Sequence, residues 1–289
     1  MKKQIAMWAA LTAVALLMTG CTAETPPPAP RPAPAAPEEA GPEGAAPERA
    51  AAPKPARAPE AARAAAYRKW GIEPLAAPPA PPAVKPVKRT PGGPVPVISE
   101  IPTEDKVVFL TIDDGAEKDP EFVRMTAELG VPFTMFLTDS VISGNYGYFD
   151  PLVAQGHGVA NHTLTHPNLR TLSPDAQRRE ICGQQEKLRE RYGTAPRLFR
   201  PPFGNWNEAT RAAAGTCGVD AIVLWRESMQ IKNMQYQRGD RKLHPGDIVL
   251  AHFRGPGELK GRTMTEMTAT LLRKIQEQGF TVARLEDYV

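Results

Sequence analysis

Charges of the two signs nearly balance in this sequence, so no strongly basic or acidic surface is expected. The 289 residues include 35 Lys and Arg and 32 Asp and Glu, for a formal net charge of +3. Lys2 and Lys3 supply +2 and residues 22–97 supply +3, which leaves residues 98–289 at −2. A nucleic-acid-binding domain needs a concentration of positive charge. Nucleic acid is therefore excluded from the expected partners.

The apolar run at the N-terminus falls short of a comfortable membrane span. It covers residues 5–18 and leads to small residues before Cys21, whereas a spanning helix needs about 20 apolar residues. Residues 1–20 are therefore predicted to be an export signal. Their Leu-Met-Thr-Gly-Cys ending resembles a bacterial lipoprotein box, which implies cleavage before Cys21 and a lipid anchor on it. The alternative is an ordinary cleaved signal or an uncleaved anchor, and in each case the domain works outside the cytoplasm, at the cell membrane if it is anchored.

Cysteine is scarce, with three residues in the whole chain. Once Cys21 is assigned to the lipid, Cys182 and Cys217 remain as an even pair in an oxidising compartment. A disulfide between them would stabilise the fold by about 3–4 kcal/mol in the chain-entropy model. Two separate buried thiols remain the alternative, because a sequence does not show proximity. We favour the disulfide.

Proline is abundant but concentrated, since 21 of the 32 prolines lie between residues 26 and 96. An Ala/Pro-rich segment does not bury enough apolar surface to offset its ordering entropy. We therefore predict a disordered linker over residues 21–97 and one domain over residues 98–289, which is long enough for a buried core. Residues 59–75 have the composition of a short helix, with Trp70 and Ile72 either docked on the domain or solvated.

Apolar, β-rich runs alternate with helical patterns beyond residue 98. This alternation is typical of parallel βα units, which build either a barrel or a doubly wound sheet. The predicted strands are residues 107–113, 133–138, 158–162, 198–202, 221–225, 247–252 and 281–285, and the predicted helices are residues 120–129, 173–192, 208–216 and 263–278.

Ionisable and aromatic residues recur at the ends of five of these predicted strands. Parallel α/β folds collect their reactive groups at the carboxyl ends of strands, so this recurrence indicates an active site. In chain order, the residues are Asp113, Asp114, His162, His166, Arg200, Trp225 and His252.

Two short patterns within this set point to a metal ion. The adjacent carboxylates of Asp113 and Asp114 repel each other and need a cation or an arginine nearby, although an isolated Asp-Asp-Gly is commonly a turn. His162 and His166 are four residues apart, a spacing that suits a metal but is often a surface coincidence. Two neutral imidazoles and one carboxylate form a facial set with positions open to water or substrate.

Four segments, TIDDG, HTLTH, RPPFG and LAH, occur in this order and resemble the successive motifs of the polysaccharide deacetylases, the NodB-homology family. The resemblance covers residues 107–285. It implies a distorted (β/α) barrel with fewer strands than the eight-stranded form, in agreement with the seven parallel strands predicted above.

The same resemblance implies a role for each matching residue. Asp114, His162 and His166 are expected to bind a divalent metal, usually Zn²⁺, with Co²⁺ among the other ions that serve this family. Asp113 is the expected general base, kept ionised by Arg200. The other expected roles are an oxyanion-binding backbone N–H at Phe203, a general acid at His252 and an acetyl-methyl pocket at Leu250.

One segment departs from the family pattern. Family members commonly place an Asp-x-x-Asp-Trp segment after the fifth strand, with a carboxylate that orients the acid histidine. Residues 224–228 read Leu-Trp-Arg-Glu-Ser here, so Glu227 is the candidate replacement. Trp225 either lines a sugar groove by stacking or belongs to the core.

Together these features predict an exported deacetylase of an acetylated polysaccharide. The leading expectation is removal of N-acetyl groups from amino sugars, with peptidoglycan the most accessible polymer for a membrane-tethered domain and chitin-like oligomers next. O-deacetylation of glycans is the sister alternative, because an ester needs less acid assistance. A non-catalytic glycan-binding lipoprotein is the alternative from another class. The sequence does not define an oligomeric state.

Overall fold

A sheet of mostly parallel strands forms the framework of the domain in the computed structural model, which describes residues 60–289. The strands are β1 (Val97–Ile98), β2 (Val107–Asp114), β3 (Thr134–Leu137), β4 (Gly158–Asn161), β5 (Leu198–Phe199), β6 (Ala221–Val223), β7 (Glu227–Met229), β8 (Met234–Tyr236), β9 (Ile248–His252) and β10 (Thr281–Val282). The helices are α1 (Glu60–Lys69), α2 (Pro120–Leu129), α3 (Asp139–Ile142), α4 (Asp150–Ala154), α5 (Pro174–Tyr192), α6 (Glu208–Thr216) and α7 (Met264–Glu277).

The strand order is β1-β6-β5-β4-β3-β2-β9-β7-β8, and β10 pairs with the first two residues of β2. Every pairing between these strands is parallel except the β7–β8 hairpin. The sheet curls into a distorted, incomplete barrel, which confirms the predicted fold class. All seven predicted strands are present, and β1, β7 and β8 are additional.

The two faces of the sheet carry separate parts of the core. Along β2, Val108, Leu110 and Ile112 belong to the large hydrophobic cluster that includes buried residues of α2 and α7. Phe109 alternates with them and belongs to a second cluster inside the curl, together with Ile248 of β9. Because side chains alternate along a strand, Thr111 and Asp113 share the inner face with Phe109. The alternation therefore directs one carboxylate of the Asp-Asp pair into the barrel.

Residues 60–97 are packed against the domain, so the predicted linker ends too late in the sequence. Tyr67, Ile72 and Leu75 are buried, and the indole Nε1 of Trp70 donates to Glu128 at the end of α2 at 2.7 Å. Of the two predicted possibilities for Trp70 and Ile72, docking is the one observed. The prediction was made from the average composition, which is Ala/Pro-rich. The segment also includes a few well-spaced apolar residues, and their burial orders the chain between them.

This N-terminal segment, residues 60–97, then crosses the domain to the edge of the sheet. Thr281 Oγ1 donates to Ala76 O at 2.5 Å, the Val87 N–H donates to Tyr288 O at 3.2 Å, and β1 pairs with β6. The predicted signal at residues 1–20, Cys21 and the first part of the predicted linker lie outside the described residues. Within residues 60–289, none of the helices has both the length and the apolar composition for a membrane crossing.

A disulfide bond joins two neighbouring helical elements on one side of the sheet. Cys182 lies in α5 and Cys217 directly follows α6, and their Cα atoms are 5.0 Å apart. The bond closes a loop of sequence separation 35.

Candidate metal centre and active site

At the end of β2, the two adjacent aspartates lie in different environments. Asp113 is buried on the inner face of the sheet, while Asp114 adopts a left-handed backbone with φ 74° and is half-buried at the rim. Gly115 follows with φ 90°, and a Cβ there would lie 2.5 Å from Ile142 Cγ2. Only glycine fits at position 115 of this tight turn. The turn begins at Asp114, and its left-handed backbone points the Asp114 carboxylate away from that of Asp113.

Asp114 converges with two histidines on one small volume. Its Oδ1 lies 3.5 Å from His162 Nε2 and 3.3 Å from His166 Nε2, and the three ligand atoms all lie within 4.8 Å of one another. Asp114 Oδ1 is buried and has no hydrogen-bond partner within residues 60–289. One carboxylate and two imidazoles of this spacing suit a divalent ion and leave other coordination positions open. The residues present thus fit the metal that the sequence predicted.

Burial and a backbone contact prepare His162 as a metal ligand. Its Nδ1 donates to Arg200 O at 2.7 Å, which leaves the lone pair of Nε2 directed at Asp114. Burial also lowers the pKa of His162 to about 3, so the ring is neutral near pH 7. A neutral imidazole fixed by its second nitrogen is the form that binds metals. At His166, the adjacent Asp114 carboxylate raises the pKa instead.

The turn that carries the two histidines is held in a strained shape. Thr163 has φ 73° and His166 has φ 58°. The Asn161 side chain accepts from the Thr163 N–H at 2.8 Å, and Thr163 Oγ1 accepts from the His166 N–H at 3.1 Å. Left-handed backbone at non-glycine residues persists where surrounding contacts enforce it, commonly at functional sites. Asn161 was not predicted as a site residue because it is a neutral residue beside two stronger candidates.

Arg200 holds the second aspartate inside the barrel. It is fully buried and donates to Asp113 Oδ1 at 2.6 Å. Its other nitrogen contacts go to Thr111 Oγ1 and to the carbonyl oxygens of Val223 and Leu224, at 2.9–3.1 Å. Burial raises the pKa of Asp113, and the adjacent guanidinium counteracts that shift. The pairing that the motif implied between Arg200 and Asp113 is thus present.

His252 stands beside Asp113 at the end of the neighbouring strand. The two residues are direct partners in the β2–β9 register, so their side chains lie on the same face of the sheet. Burial lowers the pKa of His252, and Asp113 opposes this effect. His252 Nδ1 is buried and has no hydrogen-bond partner among the described residues.

Glu227 does not orient His252, contrary to the possibility raised from the sequence. Glu227 pairs with Val249 in the β7–β9 register, and residue 252 is three positions further along β9. Because side chains alternate, Glu227 and His252 lie on opposite faces of the sheet. Glu227 Oε1 instead lies 3.7 Å from Arg238 Nη1. Burial, and after it the nearby Asp247, raises the pKa of Glu227 to about 9.

Three further predicted residues surround the aspartate–histidine cluster. Phe203 has φ 61° and a 62% exposed side chain, and its ring centroid lies 4.8 Å from that of His166. Trp225 lies over Gly204 and has the Arg200 guanidinium 5.6 Å from its ring centroid. It also packs against the inner cluster, so it is part of both the core and the site wall. Leu250 is buried in β9, two residue pairs before His252 and on the same face of the sheet.

Sequence comparisons agree with this arrangement of motifs. The family model described as "Polysaccharide deacetylase" matches residues 100–222. An uncharacterised protein from Streptomyces coelicolor is 46% identical over 195 residues, which cover 67% of this chain and 77% of that protein. A chitooligosaccharide deacetylase from Bradyrhizobium sp. is 30% identical over 61% of this chain and 87% of its own length. A peptidoglycan-N-acetylglucosamine deacetylase from Bacillus cereus is 25% identical over 65% and 92%.

A solved structure shares the fold but raises a question about activity. A CE4 family pseudoenzyme from Bacillus anthracis superposes with a TM-score of 0.56 at 26% identity, covering 66% of this chain and 68% of its own. A mutant of that protein has restored enzymatic activity. Membership of this group therefore does not by itself establish turnover, and the case for it depends on the residues at the site.

Proposed function

The chain belongs to the polysaccharide deacetylase family, and on that basis we propose that it is a metal-dependent hydrolase that removes N-acetyl groups from amino sugars of a cell-envelope polysaccharide. Peptidoglycan is the first candidate polymer, and chitin-like oligomers are the second. The observation that carries the proposal is the convergence of Asp114, His162 and His166 beside the Arg200–Asp113 pair. A glycan-binding protein has no need of a buried acid–base apparatus next to such a ligand set.

Asp114, His162 and His166 would hold the ion, with Zn²⁺ as the proposed metal and Co²⁺ as an alternative. When bound, it would polarise the acetyl carbonyl and make a water molecule more acidic. Asp113 serves as the base: Arg200 occupies its Oδ1, and its Oδ2 faces the ligand cluster, 3.7 Å from His162 Nε2. Oδ2 is therefore the atom that receives the proton of the attacking water.

The remaining steps fall to residues on the other strands. The Phe203 N–H makes no hydrogen bond with another backbone group within residues 60–289, and it is available to the oxyanion that forms on attack. His252 protonates the departing amine nitrogen, which completes cleavage of the amide. Leu250 lies two residue pairs from the Asp113–His252 pair, on the same face of the sheet, and bounds the space for the acetyl methyl group.

The exposed ring of Phe203 supports a polymeric, sugar-containing substrate. Only Val84 and Phe203 are exposed large hydrophobic residues in the described part of the chain, and Phe203 lies against a proposed metal ligand. Aromatic faces stack on apolar sugar surfaces with little loss of conformational freedom. A Phe203→Ala variant is expected to raise KM for acetylated oligosaccharides several-fold and to leave KM for a small aryl acetate unchanged. Equal changes in KM for both substrates would contradict a sugar-stacking role.

The proposed location follows from the predicted leader. An export signal at residues 1–20 and a lipid on Cys21 would tether the domain to the cell membrane, within reach of the cell wall. Mass spectrometry of the protein purified from membranes tests the anchor, since diacylglycerol on Cys21 adds a defined mass to the N-terminal peptide. Recovery of an unmodified Cys21 peptide, or of a peptide that begins after it, would contradict this part of the proposal.

Release of acetate from a substrate panel tests the activity. Purified protein is incubated with peptidoglycan, chitin oligomers and acetylated xylan, first as isolated, then after chelator, then after readdition of Zn²⁺ or Co²⁺. We expect acetate from the first two substrates, loss with chelator and recovery with metal. His166→Ala should match the chelated protein, because it removes one of three ligands. Absence of acetate from every glycan, with zinc confirmed bound, would favour the non-catalytic alternative.

A second candidate, O-deacetylation, is favoured by one observation at His252. No carboxylate lies within hydrogen-bond distance of its Nδ1 among the described residues, so the proton donor lacks the support that amide cleavage demands most. The leaving group of an ester departs as an alkoxide or phenolate, and it needs less help from an acid than an amine does. Faster acetate release from acetylated xylan than from chitin oligomers would favour this candidate.

A further inference from the structure

The turn that carries the two proposed metal-binding histidines, residues 161–166, packs against helix α5. The Leu164 N–H donates to Glu180 O at 3.2 Å, and the Glu180 carboxylate accepts from the N–H and the hydroxyl of Thr165, each at 2.9 Å. Gly183 leaves room for this contact, since a Cβ there would lie 2.5 Å from Leu164 Cδ1. Helix α5 is therefore the element that supports the histidine turn.

Asn161 links the backbone of the turn to α5. Its Oδ1 accepts from the N–H of Thr163, which has a left-handed backbone, at 2.8 Å. Its Nδ2 donates to Ile181 O at 2.8 Å and to Gln185 Oε1 at 2.9 Å. Asn161 and Thr163 are fully buried, so water does not readily replace a bond that is lost there. The orientation of the Asn161 amide therefore determines whether the turn keeps its shape.

Gln185 determines which way the Asn161 amide faces. Gln185 Nε2 donates to two backbone carbonyls, Pro196 O at 2.7 Å and Cys217 O at 3.3 Å. Because a carbonyl only accepts, the Gln185 oxygen must face the other way, toward Asn161. The nitrogen of Asn161 then has to face Gln185, which leaves Asn161 Oδ1 for the Thr163 N–H.

We propose that Gln185 is a positioning residue for the metal site, because its amide, through Asn161, fixes the turn on which both metal-binding histidines lie. This inference rests on the proposed function, in which Asp114, His162 and His166 hold the ion. Side chains that orient metal ligands without touching the metal typically contribute about 10- to 100-fold to metal affinity. Loss of the Gln185 amide should therefore appear as weaker metal binding.

The Kd of the full chain for Zn²⁺, measured by competition with a chromophoric chelator, tests this role separately from turnover. Gln185→Leu is expected to raise this Kd by about 10- to 100-fold. Gln177→Leu is the matched control and should change the Kd by less than about 3-fold by the same reasoning. Gln177 is also buried on α5, but its amide donates to Leu172 O and accepts from Thr210 Oγ1, and not from the histidine turn.

The visible absorption of bound Co²⁺ reports the geometry of its ligands, which a general loss of stability does not alter. At saturating Co²⁺, the absorption bands should shift in Gln185→Leu and coincide with those of the wild-type protein in Gln177→Leu. An unchanged Kd and spectrum in Gln185→Leu would overturn the inference, and so would equal changes in the two variants.

If Gln185→Leu does not fold, amide hydrogen exchange in the zinc-free wild-type protein tests the inference instead. A turn held by Asn161 and Gln185 should protect the Thr163 N–H before any metal is bound. A Thr163 N–H that exchanges freely without zinc, and slowly with it, would show that the ion and not α5 fixes the turn.

Failure of the proposed function gives a different result from failure of this inference. In the first case the wild-type protein binds Zn²⁺ but releases no acetate from glycans, and the Kd of Gln185→Leu still decides the inference. In the second case the wild-type protein releases acetate, and Gln185→Leu binds Zn²⁺ as tightly as the wild-type protein does. A wild-type protein that binds neither Zn²⁺ nor Co²⁺ would contradict both.

Discussion

At the scale of single residues, two carboxylates adjacent in sequence lie in different environments because a backbone turn separates them. Asp113 remains in the strand and meets a buried arginine, whereas Asp114 enters a left-handed conformation and meets two histidines. Motif resemblance predicted both assignments. It did not predict Thr111 and Asn161, which fix Arg200 and the histidine turn, because neutral polar residues inside a motif give no chemical signal of their own.

Replacing Asp113 by Asn tests the proposal that Asp113 is the general base and Asp114 a metal ligand. The change removes the proton acceptor but leaves Asp114, His162 and His166 intact. We expect kcat to fall by at least about 100-fold, as for loss of a general base, with unchanged zinc stoichiometry measured by metal analysis. Near-normal turnover in the metal-loaded variant would show that Asp113 is not the base.

The same variant should also be less stable, because Arg200 would be left buried without a counter-charge. Removing one partner of a buried ion pair typically costs about 3–5 kcal/mol. Chemical denaturation of Asp113→Asn against the wild-type protein measures this effect. Equal midpoints would mean that the remaining acceptors around Arg200 are sufficient.

His157, away from the site, should make stability depend on pH. Its ring stacks on Phe133 with centroids 3.8 Å apart, and burial lowers its pKa to about 3. The unfolded chain binds a proton there near pH 6.5 and the folded chain does not, so this contribution to the free energy of unfolding is lost as pH falls from 6.5 toward 3. The slope is at most about 1.4 kcal/mol per pH unit. In His157→Phe, the free energy of unfolding should depend less steeply on pH than in the wild-type protein. Parallel plots of the free energy of unfolding against pH for the two proteins, between pH 7 and 5, would contradict this prediction.

At the scale of secondary-structure elements, prediction succeeded where the local signals were strong. Helix α2 begins after the Asp119 cap at Pro120 and ends before Gly130 in a left-handed conformation, and its predicted bounds are those observed. Helix α6 likewise has its predicted bounds, after a capping box at Asn207. Caps and glycines act within one turn of the chain, which is why sequence alone located these ends.

The strands that the sequence did not predict are stabilised by contacts with residues far away in sequence. β7 and β8 have three residues each and include a buried glutamate, so neither alternation nor apolar composition marks them. β1 has two residues and exists because β6 lies beside it. The question of whether Glu227 faces His252 stayed open for the same reason, since only the register of β7 against β9 shows which face a residue occupies.

The disulfide between α5 and the end of α6 should add stability without changing the site. Cys182→Ser with Cys217→Ser is expected to lower the free energy of unfolding by about 3–4 kcal/mol, as expected for a loop of this length. kcat and KM at 25 °C should remain within about 2-fold, because a change of less than 0.5 kcal/mol in barrier is expected far from the reacting groups. Thermal unfolding with and without reductant gives the same comparison in the wild-type protein. A variant as stable as the oxidised wild type would show that the bond does not constrain the unfolded chain.

At the scale of the whole molecule, the N-terminal segment is part of the folded unit. Ile72 is 2% exposed within it, whereas Val84, in the same segment, is 68% exposed. Ile72→Ala is expected to lower the free energy of unfolding by about 2–5 kcal/mol, and Val84→Ala by less than about 0.5 kcal/mol. Equal small effects in denaturation would mean that the segment is only loosely attached.

The path of that segment also keeps Ala76 away from the aspartate–histidine cluster. Ala76 contacts Thr281, which pairs with Val107 at the start of β2, while Asp113 and Asp114 stand at the other end of the same strand. Ala76 therefore lies near the end of β2 that is opposite to the two aspartates. Under the proposed function, a glycan strand would reach the aspartate–histidine cluster from the end of β2 that lies away from Ala76.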